Sequence, residues 1–518
     1  MKAQVLAVEK HLAALARKPR ASILSSFTND AERLQKLSHK LAGIRFDFSR
    51  LDLNDESLAG LEALAEAADL AHWREMMLAG EVVNLSEGRA ATHMAERGTG
   101  PARLVEAAAA RGAEMMALAA RLEADFAGGE AAKLRHVLHV GIGGSALGPA
   151  VLLDALGRMA DGPEVMIISN VDGEALAQAM VRFDPARTLL IVVSKSFDTT
   201  ETMINAASAF AWMKAAGVED VAARTVAVTA APERARDWGA GHVLDFSDTV
   251  GGRYSLWTAV GLGFVLRAGG ADWQALHEGA AMMDRHFLDA PFLSNMPVLA
   301  AMGDVWAHRF CGQQVRGVFP YDERLRMLPM YLQQLEMESN GKRVNRDGDY
   351  MTLPSAPVTW GGTGTDVQHA VFQLVHQGMV QGPAEFVAVK TPGHGLAAAH
   401  HRQLLANCLA QGAALLRGRR EAEALALANG DEALAAALVM PGNRASSTIL
   451  LDRLDPHSLG ALLAFYEHRI FSAAVLMGIN PFDQWGVQLG KEVAQAVLSG
   501  ALTETDPSTA ALMREALG

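Results

Sequence analysis

Cysteine is nearly missing from this chain. Only Cys311 and Cys408 occur in 518 residues, so neither a disulfide framework nor a thiolate metal site can be built, and the composition suits a reducing cytosol. An excess of positive charge is missing as well. A net charge of −12 and a pI near 5.8 argue against nucleic-acid binding, which needs a basic face. The short cluster Arg417, Arg419 and Arg420 reads as a solvated helix face. No uninterrupted apolar stretch approaches the roughly 20 residues of a membrane span. The N-terminal apolar run breaks at Glu9 and Lys10, before a signal-peptide core can form. Low-complexity linkers and solenoid-period repeats are also absent. These absences predict a soluble, cytoplasmic protein with no nucleic-acid or membrane partner.

Half of the residues are hydrophobic and 20% are charged, an ordinary globular balance, and the length calls for two or three domains. Amphipathic stretches at 58–71 and 104–122 repeat apolar positions at helical spacing, so the first hundred or so residues read as helical. The texture then changes. HVLHV before Gly141, VMII after Glu164, LLIVV after Thr188 and VAVT after Thr225 are short apolar runs separated by helical segments. That alternation predicts βαβ units and a parallel sheet covered on both faces. A second α/β stretch begins near Pro297 and includes GVFPY after Arg316 and VAVK from Val387. After His400 the chain reads as helical to its end.

Six segments carry chemistry. GIGGSALGP (141–149) follows an apolar strand. Gly141, Gly143 and Ala146 meet a loose dinucleotide pattern, which keeps a nucleotide-linked dehydrogenase open, but no Lys-Ser/Thr follows and a P-loop is excluded. SKSFDTTET (194–202) also follows a strand and puts hydroxyls at 194, 196, 199, 200 and 202 where a helix begins. A plain N-cap needs one of them; unpaired amides plus several hydroxyls make an anion cradle suited to phosphate. In VGGRYSLW (250–257) two glycines let the backbone approach a ligand closely beside Arg253, although a lone arginine is by default a surface ion pair. QQLEMESNGK (333–342) carries Glu336 and Glu338, which on a helix point in different directions, so one of them can face a cleft. GGTGTDVQHA (361–370) places His369 in a first helical turn, where it can serve acid–base chemistry near neutral pH; His376 reads as a packed residue. His394, His400 and His401 lack metal-ligand spacing, so no metal is expected. NPFDQWGVQLGK (480–491) sets Gln484 and Lys491 at and beyond a turn.

Together these segments resemble the glucose-6-phosphate isomerase family, in order, over roughly residues 45 to 510, with NLSEGRAATH (84–93) and the stretch from Leu459 to Phe471 matching as well. The resemblance implies an α/β fold: two sugar-isomerase (SIS)-type doubly wound parallel-sheet lobes with helical N- and C-terminal extensions. It places a helical extension at 1–115, a phosphate-binding lobe at 116–285, a second lobe at 286–495 and a tail at 496–518. It implies reversible isomerisation of glucose 6-phosphate and fructose 6-phosphate through ring opening and an enediolate, without a cofactor. Glu338 is then the base and Arg253 the group that steadies the enediolate. His369 and Lys491 handle ring opening. Gly144, Ser145, Ser194, Lys195, Ser196, Thr199, Thr202, Gly252, Gln334 and Gln484 contact the substrate. The implied assembly is a homodimer in which His369 reaches across from the neighbouring subunit, partnered by Glu201. Asp198 stands where the family often has threonine and is expected to point away and cap the next helix, Ser196 keeps a hydroxyl in place of threonine, and Ala146 replaces a common aspartate. A non-catalytic sugar-phosphate-binding regulator on the same lobes is the alternative; the presence of Arg253, Glu338, His369 and Lys491 counts against it.

Overall fold

Runs such as TLLIVV and TVAVT, apolar at almost every position and rich in β-branched residues, have no polar face to turn to water and are buried along their whole length. A computed structural model describes residues 2–129, 132–502 and 505–517. Its strands are β1 (Ser38–Leu41), β2 (Ile44–Asp47), β3 (Val82–Asn84), β4 (Arg89–Ala90), β5 (His136–Val140), β6 (Glu164–Ile168) and β7 (Thr188–Val193). Then follow β8 (Thr225–Thr229), β9 (His242–Asp245), β10 (Val315–Tyr321), β11 (Val358–Gly361), β12 (Ala384–Val389) and β13 (Ser446–Leu451).

One sheet has the order β6-β5-β7-β8-β9 and every pairing in it is parallel. The strand order reverses at β5 and β7, so the crevice beyond their carboxyl ends is the place where such a sheet binds ligands. A second sheet runs β1-β2-β13-β12-β10-β11, in which β13, β12, β10 and β11 are parallel and β2 and β1 add an antiparallel edge, and β3 and β4 form a small antiparallel pair. One all-parallel sheet and one with a four-stranded parallel core, both joined by helices, agree with the doubly wound α/β expectation.

Two local expectations are corrected. The first hundred residues are not all helix: β1 and β2 form a hairpin that completes the second sheet. Ile44 and Phe46 are fully buried while Arg45 and Asp47 alternate with them, a period-2 pattern too short to stand out against the helices around it. Ala42 and Gly43 turn the hairpin with φ of 51° and 72°, the left-handed pair that a tight two-residue turn demands. The region after His400 is likewise interrupted, by β13, whose SSTILL begins with hydroxyl residues.

The chain forms two compact units, Met1–Pro481 and Phe482–Gly518. In the first, the helix Pro456–Met477 packs beside Gly270–Asp289 so closely that a Cβ at Gly279 would fall 1.8 Å from the His457 carbonyl oxygen. By length and hydropathy alone that helix could cross a membrane, but its apolar window is entirely buried inside the protein. Its Glu467 and His468 join a buried polar cluster. Arg97 donates two bonds to Asp284, at 3.0 and 2.6 Å, and pairs with Glu467; His468 lies 2.7 Å from Asp284 and Trp257 Nε1 donates to Glu467 at 2.8 Å. Burial alone would raise the Asp284 pKa, but Arg97 and His468 outweigh it and bring it down to about 2. This cluster anchors the end of the VGGRYSLW segment through Trp257. The second unit is helical: a turn at Trp485–Val487 and helices Gln488–Leu498 and Pro507–Leu517.

Candidate active site

At the carboxyl end of β5 the chain turns through Gly141–Gly143 into the helix Gly144–Leu156. Gly143 has φ of 57°, a left-handed value that only glycine adopts freely. A Cβ at Gly144 would lie 2.1 Å from the Gly252 carbonyl oxygen. The glycines are therefore spent on docking this turn against the Gly252–Arg253 backbone, which gives them a role the dinucleotide pattern does not need. A Cβ at Gly143 would meet the Gln334 side-chain nitrogen at 3.0 Å, so three separated motifs touch here.

The neighbouring β7 ends at Val193 and leads through Ser194–Asp198 to Thr199, which sits at the cap position of the helix Thr200–Ala215. Phe197 has φ of 52°, a costly conformation outside glycine. Its buried ring packs edge-on against Trp238. Thr199 makes no side-chain cap bond; its hydroxyl lies 3.0 Å from that of Ser194. Lys195 Nζ donates to the carbonyls of Asp248 and Val250 at 2.6 and 3.0 Å, stapling this loop to the segment before Gly252. Burial, with Arg89 and Arg253 nearby, lowers its pKa. Thr202 is buried in the first helical turn and Glu201 is half-buried beside it.

Asp198 does not cap the helix. Ser196 donates its hydroxyl to the Asp198 carboxylate, and Arg234 Nη1 pairs with it at 2.5 Å. Partial burial opposes ionisation, but Ser196 and Arg234 together hold the carboxyl below its usual range. The charge is thereby compensated beside the hydroxyl loop.

Arg253 is the centre of the arrangement. Its side chain is 2% exposed. Nε donates to Ser339 Oγ at 2.7 Å, Nη2 donates to the Pro481 carbonyl at 2.5 Å, and Nη1 stands 3.3 Å from Glu338 Oε1. The other Glu338 oxygen accepts from Gln334 Nε2 at 2.8 Å. A π-helical turn at Gln334–Glu338 carries both side chains; such one-turn bulges often mark functional positions. As expected, the two glutamates diverge. Glu336 is buried against Arg316 and Thr359, whereas the Glu338 side chain keeps 22% exposure and can meet a ligand. Tyr254 Oη lies 3.0 Å from Ser339 Oγ, and the His93 ring stacks on Tyr254 at 4.7 Å. Ser339, Tyr254 and His93 were not singled out from sequence. Serine beside a glutamate carries no signal until the fold brings Arg253 to it.

His369 lies in the first turns of the helix Asp366–Gln377, exposed, its ring 3.4 Å from the Gln368 amide; it makes no hydrogen bond to Arg253 or Glu338 among the described residues. His376 is bonded to Gln411 at 3.0 Å, a packed residue as expected. Gln484 precedes the turn at Trp485–Val487, and Lys491 lies in the helix Gln488–Leu498 of the second unit. Among the described residues no group of three or more His, Cys, Asp or Glu side chains is placed to hold a metal. Arg417 ends one helix while Arg419 and Arg420 form the link to the next, so that cluster does not share one helix face.

A family model described as phosphoglucose isomerase matches residues 47–513. The chain belongs to that family. A glucose-6-phosphate isomerase from Rhizorhabdus wittichii is 53% identical over 502 residues, covering 96% of this chain and 97% of the relative. One from Zymomonas mobilis is 47% identical over 519 residues, covering 100% and 99%. Among solved structures, a glucose-6-phosphate isomerase from Chlamydia trachomatis superposes with a TM-score of 0.89 at 28% identity and 99% coverage of both chains. A hypothetical protein from Thermus thermophilus gives 0.65 at 27% identity, covering 86% of this chain and 99% of its own. The family's fold is thus the fold found here.

Proposed function

We propose that the chain is a glucose-6-phosphate isomerase that interconverts glucose 6-phosphate and fructose 6-phosphate. The observation that carries the reading is the Arg253–Glu338 pair, 3.3 Å apart, set beside the hydroxyl-lined loop that follows β7. Ser145, Ser194, Ser196 and Thr199, with the amides at the start of the helix Thr200–Ala215, hold the sugar phosphate. That fixes the sugar's far end and leaves C1 and C2 beside Gly252, Arg253 and Glu338.

Glu338 removes the C2 proton of the open-chain aldose and returns it to C1. A proton alpha to a carbonyl is weakly acidic, so the carboxylate works only if the charge developing on the enediolate oxygens is stabilised. Arg253 supplies that charge from a buried, bonded position and needs no reorganisation in the transition state. Gln334 orients the carboxylate by donating to its second oxygen. Gln484 contacts the sugar, and His369 and Lys491 exchange protons with the ring oxygen and O1 during ring opening. His369, exposed on its helix, serves the site of a second copy in a homodimer, with Glu201 of that copy fixing its ring. A regulator that only binds sugar phosphate would have no use for a base aligned with a buried guanidinium.

The test is a coupled assay of the purified protein with fructose 6-phosphate, with and without a chelator. Turnover that survives chelation is expected. Absence of glucose 6-phosphate formation at any enzyme concentration would refute the reading.

A further inference from the structure

The helix that opens with Gly144 contains Pro149. In a regular helix the residue-149 amide would donate to the carbonyl of Ser145, four positions back. Proline has no N–H, so that carbonyl loses its helical donor. Ser145 is a residue that the preceding reading places at the sugar phosphate, and a carbonyl left unpaired in its partly buried surroundings would loosen the turn that aims the hydroxyl.

The structure fills the gap from the strand. His139, on β5 and fully buried, brings Nε2 to 2.8 Å from the Ser145 carbonyl oxygen. A carbonyl can only accept, so the proton sits on Nε2 and the ring is the Nε2–H tautomer. Nδ1 is buried with no hydrogen-bond partner among the described residues. The ring therefore spends its one N–H on Ser145 and leaves a lone pair unsatisfied, a costly arrangement unless that single bond matters. Burial lowers the His139 pKa to about 4, the Ser145 bond opposing the shift only in part, so the donor persists through the neutral range. Gly141 completes the seat: a Cβ there would lie 3.0 Å from both Cβ and the carbonyl oxygen of Ser145.

We propose that His139 is a positioning residue for the substrate phosphate, replacing the helix donor that Pro149 cannot supply and so fixing Ser145. The inference rests on the reading of Ser145 as a phosphate contact. The variants are His139→Phe, which removes the donor and keeps a ring; His139→Gln, whose side-chain amide nitrogen replaces Nε2; Pro149→Ala, which restores the backbone N–H; the double variant His139→Phe/Pro149→Ala; and Ser145→Ala. The readouts are kcat and KM for fructose 6-phosphate and the inhibition constant of inorganic phosphate.

His139→Phe is expected to raise KM and the phosphate inhibition constant about five- to tenfold, the worth of one hydrogen bond, with kcat changed less than about twofold. His139→Gln and the double variant are expected to return both constants to near wild type. A merely structural role for His139 would not be rescued by an amide restored at residue 149. Should His139→Phe fail to fold, the double variant decides alone: a KM still raised there overturns the proposal. If Ser145→Ala raises KM while His139→Phe does not, the positioning role falls and the phosphate reading stands; if Ser145→Ala leaves KM unchanged, the phosphate reading of Ser145 falls.

Discussion

Replacing Arg253 by lysine keeps the charge and removes the fork. In the native arrangement three guanidinium nitrogens reach three separate groups: Ser339 Oγ at 2.7 Å, the Pro481 carbonyl at 2.5 Å and Glu338 Oε1 at 3.3 Å. An ammonium is a single point and cannot occupy all three positions. Lysine bonded to Pro481 abandons Ser339 and draws charge away from Glu338; lysine bonded to Glu338 leaves the Pro481 carbonyl buried and unpaired. Each charge-assisted bond lost is worth about 1.5–3 kcal/mol. The share acting on the developing enediolate corresponds to the roughly 100- to 1000-fold loss seen when one preorganised charge-stabilising donor is removed. Arg253→Lys is therefore expected to lower kcat by about that factor. KM should move less than about threefold, because the proposed phosphate contacts lie in the loop after β7 and not on Arg253. The assay is steady-state turnover in both directions, with circular dichroism to show that the variant is folded. A folded Arg253→Lys enzyme with a third or more of wild-type kcat would refute the reasoning that fixed, forked charge is what the site supplies.

The Asp284 carboxyl is held at about 2 against an ordinary 3.8, so it contributes stability on the order of 2 kcal/mol, fully present above about pH 4 and lost as pH falls toward 2. Urea unfolding as a function of pH checks this, and the Asp284→Asn variant should show a shallower acid slope. Arg234→Ala removes an exposed pair worth little to stability but frees the Asp198 carboxylate beside the hydroxyl loop, so KM for fructose 6-phosphate should rise about two- to fivefold at low salt, with the melting temperature nearly unchanged. Mixing Glu338→Gln with His369→Ala subunits after mild dissociation should restore up to about one quarter of wild-type activity, since half the dimers are hybrids with one complete site; no recovery would place His369 in its own subunit's site.

Strong local signals were legible in the sequence. HVLHV, VMII, LLIVV and VAVT became parallel strands; burial on both faces makes β7 and β8 unbroken apolar runs, and the edge strand β6, only partly buried, keeps the same apolar texture. The glycine turn at 141–144 and the hydroxyl loop at 194–199 were legible for the same reason: their chemistry is compact in sequence. What stayed hidden is set by contacts between distant residues. The β1–β2 hairpin shows only two inward residues, and β13 begins with serines that are buried because other strands cover them. Ser339 matters through Arg253, 86 positions away. Arg97, Asp284, Glu467 and His468 resemble surface charges until helix packing brings them together. Asp198 was expected to cap the next helix, but its partner Arg234 lies 36 residues on, so the carboxylate is compensated by an ion pair that the local sequence does not show.

The proposed function stands or falls on the Glu338 carboxylate carrying hydrogen between C2 and C1. Incubating fructose 6-phosphate with enzyme in deuterium oxide and following label at C1 by proton NMR reads that step directly. Wild-type protein is expected to exchange the C1 position and form glucose 6-phosphate, while folded Glu338→Gln loses both by about 1000-fold or more, within the range a positioned base supplies. Glu338→Gln exchanging label within about tenfold of wild type would contradict the claim.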